Sequence, residues 1–240
     1  MGRAHEVRAA SMAKTAAAKS KINAKFGRLI YIAAKSGLPD PDVNQALKKE
    51  IERAKKAQIS ADVIKRAIDK AKGGQQDSYI AVRYEGFGPN NSMFIVECLT
   101  DNTNRTFTDI RTAFTKCGFK LGVDGSVVHM FNNQAVFSYE GLNDEETLEV
   151  LLAADCDVTD IAYEEQLTTV YAPISEYAKV RDALEEAMPN VDFLEDNIAW
   201  VPITTTTLTD EDDIKHFERL QSMLDEVEEV QNFFHNIVNE

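Results

Sequence analysis

The sequence changes its periodicity within residues 60–87, which read SADVIKRAIDKAKGGQQDSYIAVRYEGF. In the first half, apolar residues recur at spacings of three and four, as they do on one face of a helix, and two glycines follow. In the second half, Ile80, Val82 and Tyr84 lie two residues apart, which is typical of a β-strand with one buried face. The sequence therefore predicts a helical N-terminal part followed by a part built on β-sheets.

Two further helices are predicted before this stretch. The spacing of apolar residues indicates one long helix over residues 12–36. Asp40 followed by Pro41 has the pattern of an N-cap and first helical position, so a second helix is expected from there to about Gln58. With the helix capped by Ser60, these segments predict a small bundle of three amphipathic helices.

The remaining sequence predicts two α/β units. The first starts with a hairpin, a helix that ends at Gly118 and a strand over residues 126–131, in the order ββαβ. A second unit, which begins at the Asn132-Asn133 turn, has the order βαββαβ of ferredoxin-like folds. The helix and strand that follow, over residues 209–224 and 230–237, are too small to stand alone. They are expected to complete the first sheet.

The predicted fold class is therefore α+β, with an N-terminal three-helix bundle followed by two ferredoxin-like α/β domains, the third domain inserted in the second. The predicted domains are a basic helical domain, an α/β domain built from two segments, and an inserted α/β domain. Their ranges are 1–75, 76–132 plus 205–240, and 133–204.

Charge is distributed unevenly along the chain. Residues 1–75 carry 17 Lys and Arg against 7 Asp and Glu, whereas residues 76–240 carry 9 against 33. The formal net charges of the two parts are +10 and −24, which gives −14 for the whole chain. A phosphate polymer is attracted by the first part and repelled by the second. We therefore expect nucleic acid to bind at the helical part only.

The candidate nucleic-acid-binding residues are the cations that lie between the apolar positions of the three predicted helices. They are Lys14, Lys19, Lys21, Lys25, Arg28, Lys48, Lys49, Arg53, Lys55, Lys56, Lys65, Arg66 and Lys70. An ordinary solvated helix surface is the alternative, and pairs at helical spacing such as Lys48 with Glu52 favour it. The cations outnumber the nearby carboxylates, which favours the binding surface.

The sequence lacks the patterns of catalytic, metal and membrane chemistry. Its four histidines have no metal-ligand spacing, its three cysteines form no C-x-x-C pair, and no phosphate-binding loop is present. No apolar run approaches the roughly 20 residues that span a bilayer, and the N-terminus lacks a secretory pattern. We therefore expect a cytoplasmic protein that is not an enzyme and has no cofactor, metal or membrane partner.

Two acidic clusters and one arginine have alternative interpretations. Residues 210–213 are interpreted as acidic residues at a helix N-terminus, and residues 225–229 as a solvated loop. Arg105 lies in the segment that joins a buried strand to a helix N-terminus. Capping by Thr103 or Asn104 explains the polar residues around it. Arg105 itself is predicted to bind a phosphate or to orient an adjoining domain.

Several motifs together resemble the YebC/PmpR family. They are the runs YEGFGP (84–89), ECLTDN (97–102), NRT (104–106), FTKCG (114–118), LG (121–122) and DGSV (124–127). The segment PDPD at 39–42 with Asn44, and RAI at 66–68 with the glycines at 73–74, fit as well. The resemblance covers nearly the whole chain, and the Lys- and Ala-rich N-terminal region looks more like the YeeN-type branch. Many members open with Gly-His-Ser-Lys-Trp, from which this chain departs.

The resemblance implies a first helical domain and two α/β domains. It also implies a non-enzymatic regulator, described for the family as a probable transcriptional regulator that binds DNA. Other members look like ribosome-associated factors that help translation through difficult stretches. The expected partner is therefore DNA or ribosomal RNA, with the ribosome as a further partner and a homodimer as an expected assembly. Lysine contacts to phosphate do not report which polymer is bound, so both functions stay open.

Overall fold

The structure, a computed structural model, describes residues 22–73 and 79–238. Three helices form the N-terminal part. They are α1 at residues 22–35, α2 (Gln45–Lys56) and α3 (Ala61–Lys72). The part of the first predicted helix at residues 12–21 lies outside the described residues. Their apolar faces form one core, because Ile30, Leu47 and Ala54 are fully buried within the same cluster. The predicted three helices are confirmed.

The start of α2 differs from the prediction. Its N-cap is Asn44, whose side chain accepts a hydrogen bond from the Leu47 backbone N–H at 3.0 Å. The Asn44 amide also donates to the carbonyl oxygens of Ala33 and Leu38, at 2.8 and 2.9 Å. Asp40 instead forms a turn before the helix, accepting from the backbone N–H of Asp42 at 3.0 Å. The prediction of an Asp40 N-cap is therefore wrong, because Asn44 satisfies the free N–H group.

The first four-stranded antiparallel sheet has the strand order β3-β1-β2-β8. The elements associated with it are β1 (Ile80–Phe87), β2 (Met93–Thr100), α4 (Thr103–Lys116), β3 (Lys120–Leu121), α7 (Glu211–Asp225) and β8 (Val230–His235). The last strand of the chain thus pairs with β2, which confirms that the C-terminal segment returns to the first sheet.

The second antiparallel sheet has the order β5-β6-β4-β7. Its elements are β4 (Phe131–Glu140), α5 (Asp144–Ala153), β5 (Asp160–Glu164), β6 (Leu167–Ala172), α6 (Tyr177–Ala187) and β7 (Phe193–Pro202). In register, Ala135 faces Ala172 and Phe137 faces Val170, and these four side chains join α5 and α6 in one core. The βαββαβ order and the fold class are confirmed.

The strand predicted over residues 126–131 is wrong. A short 3₁₀ turn occupies Val128–Met130, and β4 starts at Phe131 and continues through the predicted Asn132-Asn133 turn. The reason is the buried Glu85, whose carboxylate accepts from the backbone N–H groups of Gly125 at 2.9 Å, Val127 at 2.5 Å and Val128 at 3.0 Å. Because a side chain satisfies these N–H groups, this backbone has no need of a neighbouring strand.

The chain divides into two compact units. The first runs to Tyr84 and adds Val96–Leu121 and Thr209–Phe233, whereas the second contains Glu85–Ile95, Gly122–Leu208 and the segment from Phe234 onwards. The three domain ranges given above stay a prediction. Within residues 22–73 and 79–238, no helix has the length and apolar character needed to cross a membrane.

Candidate nucleic-acid interface

The amphipathic pattern of α2 decides which of its side chains reach solvent. Leu47, Ile51 and Ala54 lie on the buried face, so the lysines between them project outward. Lys48 and Lys55, seven residues apart, lie two helical turns from each other on the exposed side. The same alternation on α3 buries Ile64, Ala67 and Ala71. The two helices therefore present most of their cations to solvent.

The candidate residues fall into three groups. Those that are exposed are Lys48, Arg53, Lys55, Lys56, Lys65, Arg66 and Lys70. Those that are half-buried are Lys25, Arg28 and Lys49. Lys14, Lys19 and Lys21 lie outside the described residues.

Four of the exposed candidate lysines carry no carboxylate partner among the residues that the structure describes. They are Lys48, Lys55, Lys56 and Lys65. Arg53, by contrast, pairs with Glu50 at 3.0 Å along its own helix. The Lys48–Glu52 pair expected for an ordinary solvated surface does not form in the described part of the chain. A positive face therefore remains open to a polyanion.

The cations of α3 lie on two sides of the helix. Lys65 and Lys72 line a groove of about 840 Å³ together with Lys55 of α2. Lys72 therefore belongs with Lys55 and Lys65, although it is not among the candidate residues predicted from the sequence. The helical positions explain the pairing, since residues seven apart share a side. A helical-wheel argument from the sequence could have found this grouping.

The other side of α3 faces α1. Arg66 and Lys70 line a second cavity, of about 410 Å³, together with Arg28, Tyr31 and Tyr79. The ammonium nitrogen of Lys70 lies 5.7 Å from the centroid of the Tyr31 ring, and the Arg28 guanidinium lies 5.9 Å from that of Tyr79. Both distances fall in the range of cation–π attraction.

The cations of α1 are engaged by the protein itself. Arg28 pairs with the Glu228 carboxylate at 3.2 Å and also donates to the Glu228 backbone carbonyl. Lys25 donates to the backbone carbonyl of Gln231. Burial lowers the pKa of Lys25, and the nearby Arg53 lowers it further. These two residues are thus anchoring groups of the fold in the present structure.

Arg105 lies between two carboxylates. Its guanidinium donates to Asp101 Oδ1 at 2.7 Å and to Glu229 Oε1 at 2.6 Å. Asn102, and not the predicted Thr103 or Asn104, caps α4 by accepting from the Arg105 backbone N–H at 3.1 Å. The two carboxylates favour the orienting role of Arg105 over phosphate binding, because a phosphate would have to displace them.

The two acidic clusters differ in role. Asp210 caps α7 by accepting from the backbone N–H groups of Asp212 and Asp213, at 2.8 and 3.2 Å, which confirms the predicted helix N-terminus. The prediction of a purely solvated loop over residues 225–229 is wrong. Glu229 is 6% exposed and bonded to Arg105, and Glu228 binds Arg28.

The described residues contain no group of three or more His, Cys, Asp or Glu side chains placed to hold a metal ion. The three cysteines are buried and unbridged. Burial raises the pKa of the Cys98 thiol to about 12, with Glu229 and Glu97 adding to the effect. A thiol in this environment stays protonated at neutral pH and is a poor nucleophile.

Comparison with known proteins gives the family. Residues 3–74 match the pattern of the TACO1/YebC protein N-terminal domain, and residues 79–237 match the TACO1/YebC second and third domain. The chain belongs to the TACO1/YebC family. This confirms the resemblance drawn from the sequence motifs. The family is one of non-enzymatic regulatory proteins, so the prediction that the chain is not an enzyme is confirmed as well.

The similarity extends over whole chains. A probable transcriptional regulatory protein of Acholeplasma laidlawii is 52% identical over 239 residues, covering 100% of this chain and 99% of the relative. One from Alteromonas mediterranea is 51% identical over 238 residues, with 99% of each chain covered. The crystal structure of a conserved hypothetical protein from Aquifex aeolicus superposes with a TM-score of 0.77 at 31% identity. It covers 92% of this chain and 91% of the other.

Proposed function

We propose that the chain is a transcriptional regulator that binds DNA through the exposed lysines of α2 and α3. One observation carries the proposal. Lys48, Lys55, Lys56 and Lys65 project from neighbouring helices without carboxylate partners in the described residues, in a chain whose net charge is −14. The names of the Acholeplasma and Alteromonas relatives support the regulatory role.

The binding energy comes chiefly from counterion release. Each lysine that neutralises a phosphate releases a condensed cation, so affinity falls steeply as salt rises. The acidic remainder of the chain is repelled by the same polymer, which restricts binding to the helical part. In this picture the acidic α/β part contacts other partners, among them a second copy of the chain.

Strong sequence specificity is not expected. Sequence-specific reading of base edges in a major groove usually needs several Arg, Asn or Gln side chains that project from one helix. The exposed cations of α3 are Lys65, Arg66 and Lys70, and the Arg66 Nε–H is already bonded to the Asp62 carbonyl oxygen at 3.1 Å. These side chains suit phosphates better than base edges.

This low specificity also favours the second candidate function, a ribosome-associated factor that binds ribosomal RNA and relieves stalled translation. RNA and DNA offer the same phosphate charges to Lys48, Lys55 and Lys56, so the cationic surface serves either role.

The test of the surface is a variant in which Lys48, Lys55, Lys56 and Lys65 are all changed to Gln. The salt dependence of polymer affinity should lose about 3–4 units of slope, at about 0.9 per phosphate contact. The matched control changes four exposed lysines outside the helical part, which are Lys116, Lys120, Lys179 and Lys215. The control should leave the slope unchanged. An equal loss in both variants, or none in the first, contradicts the proposal.

A second experiment separates the two functions. Crosslinking in cells followed by sequencing of the bound nucleic acid should recover promoter DNA if the chain regulates transcription. Recovery of ribosomal RNA instead decides for the translation factor.

A further inference from the structure

The groove between α2, α3 and the loop before α2 has a composition that a plain phosphate-binding surface does not need. We propose that this groove binds unpaired nucleotides, with bases on its apolar floor and phosphates on its lysine rim. The inference rests on the proposed nucleic-acid binding and adds to it the kind of nucleic acid preferred. Leu38, Val43 and Ile68 lie on its floor, and Lys55, Lys65 and Lys72 lie on its rim.

The floor is apolar and open to solvent. Leu38 and Val43 are 66% and 63% exposed, and both line this one groove. Ile64 and Ile68 of α3 line the same groove, with Ile64 buried and Ile68 half-buried, so the exposed apolar surface comes chiefly from Leu38 and Val43. Removing such side chains from water is favourable, so a flat apolar ligand gains free energy by covering them.

The loop that carries the floor is held in place. Asn44 donates to the Leu38 carbonyl oxygen at 2.9 Å, and the Asn44 backbone N–H donates to the Asp40 carbonyl oxygen at 3.0 Å. Because the loop is already ordered, a ligand does not have to supply the free energy for ordering it.

The rim is cationic. Lys55 and Lys65 have no ion pair within the described ranges, and Lys72 makes only a long contact of 3.8 Å with Asp69. Three lysines therefore face two carboxylates, those of Asp40 and Asp69. The excess positive charge is complementary to phosphate, and the carboxylates are acceptors for the amino groups of bases.

This combination distinguishes unpaired nucleotides from a duplex. In a duplex the base faces are stacked on each other, and only base edges, sugars and phosphates reach a protein surface, so no base face covers the floor. In a single strand each base has a free apolar face. Single-strand sites combine a positive groove with aromatic side chains on which bases stack, and in this groove aliphatic side chains take that place. The positive charge also extends beyond the groove to Lys48 and Lys56, as suits a polymer longer than one nucleotide.

The test compares two probes, an oligothymidine strand and a DNA duplex of equal length, with the full-length chain. Leu38→Ser should weaken binding of the single strand about fivefold and leave the duplex nearly unchanged, since about 1 kcal/mol of apolar contact is lost. Val43→Thr, which keeps the side-chain volume, should act in the same direction. The matched control is Leu194→Ser, because Leu194 is 64% exposed and lies on β7, outside the groove. It should change neither affinity.

Equal weakening of both probes by Leu38→Ser overturns the inference, because the groove then does not distinguish unpaired bases. No change in either probe overturns it too and assigns the floor to another kind of partner. Lys48→Gln separates this result from a failure of the proposed function. If nucleic acid binds the helical surface at all, Lys48→Gln weakens both probes even when Leu38→Ser changes nothing.

Discussion

Four lysines of α2 and α3 differ from Arg28 and Arg105 in whether a carboxylate pairs with them. The lysines of α2 and α3 at positions 48, 55, 56 and 65 extend into solvent without partners in the described residues. Arg28 and Arg105 carry the same charge, yet each guanidinium binds a carboxylate, at 3.2 Å and 2.6 Å. The difference shows that positions of like charge divide into cations that are open to solvent and cations that anchor the fold, and only their partners distinguish the two.

The partners of the two arginines come from one short acidic segment. Glu228 and Glu229 follow α7 and lie 200 and 124 residues from Arg28 and Arg105 along the chain. Arginine suits this role because its planar guanidinium binds carboxylates in a fixed geometry and is always charged. Lysine keeps a compact and strongly hydrated charge, which suits exchange between phosphates.

The largest expected effect is on stability and concerns Glu229. Glu229→Gln should lower the free energy of unfolding by about 1 kcal/mol, because the buried Glu229 carboxylate loses part of a charge-assisted hydrogen bond from the half-exposed Arg105 guanidinium. Chemical denaturation measures the loss. Affinity for nucleic acid should not change, since Arg105 is not one of the residues proposed to contact the polymer.

Glu226→Gln is the matched control for that variant. It makes the same change of charge in the same loop, at an exposed residue without an ion pair in the described part of the chain. It should leave stability unchanged within about 0.5 kcal/mol. If both variants destabilise the protein equally, the loss comes from the net charge and not from the Arg105 contact.

The next effect compares single cations. Lys65→Gln should reduce the salt-dependence slope of polymer binding by about 0.9, the value of one phosphate contact. Arg28→Gln should leave the slope unchanged, because its guanidinium is already neutralised by Glu228. Affinity measured across a range of salt concentrations distinguishes the two. A loss of slope in Arg28→Gln as large as in Lys65→Gln would mean that Arg28 leaves Glu228 to bind the polymer.

The smallest effect depends on pH. The hydrogen bond from Arg105 holds the pKa of Asp101 below its ordinary value of 3.8. A lowered carboxyl pKa contributes stability above the unfolded-state pKa, and this contribution is lost as pH falls through the folded-state pKa. The difference in melting temperature between the wild type and Asp101→Asn should therefore be constant from neutral pH down to about 5. It should shrink below about 4 and stay small throughout, since the pair is exposed. A difference that grows on acidification contradicts the assignment.

Much of the fold follows from periodicity that is local in the sequence. The spacing of Leu47, Ile51 and Ala54 gave the position of α2, and alternation gave the hairpin of β1 and β2. The errors arise where a distant or unusual partner satisfies the backbone. Asn44 replaced Asp40 as the cap, and Glu85 removed the strand expected before Phe131.

The candidate site shows the same limit. The positive charge of the helical part could be predicted by counting residues along the sequence, because charge is a property of single residues. The hydrogen bonds of Lys25 and Arg28 could not be predicted from the sequence. Their partners, Gln231 and Glu228, are distant along the chain and come near only in the folded protein. The place of Leu38 in the groove could not be predicted from the sequence, because a single exposed apolar residue has no distinguishing pattern. Only the fold places the other lining residues around it.

The most direct measurement is to crosslink bound nucleic acid to the protein and to locate the attached residues by mass spectrometry. If nucleic acid binds the lysines of α2 and α3, the attachment sites concentrate on these helices and on the loop at residues 38–43, with few on the acidic sheets. Attachment mainly to the α/β part, or to the segment at residues 225–231 that holds Lys25 and Arg28, would contradict binding at these lysines.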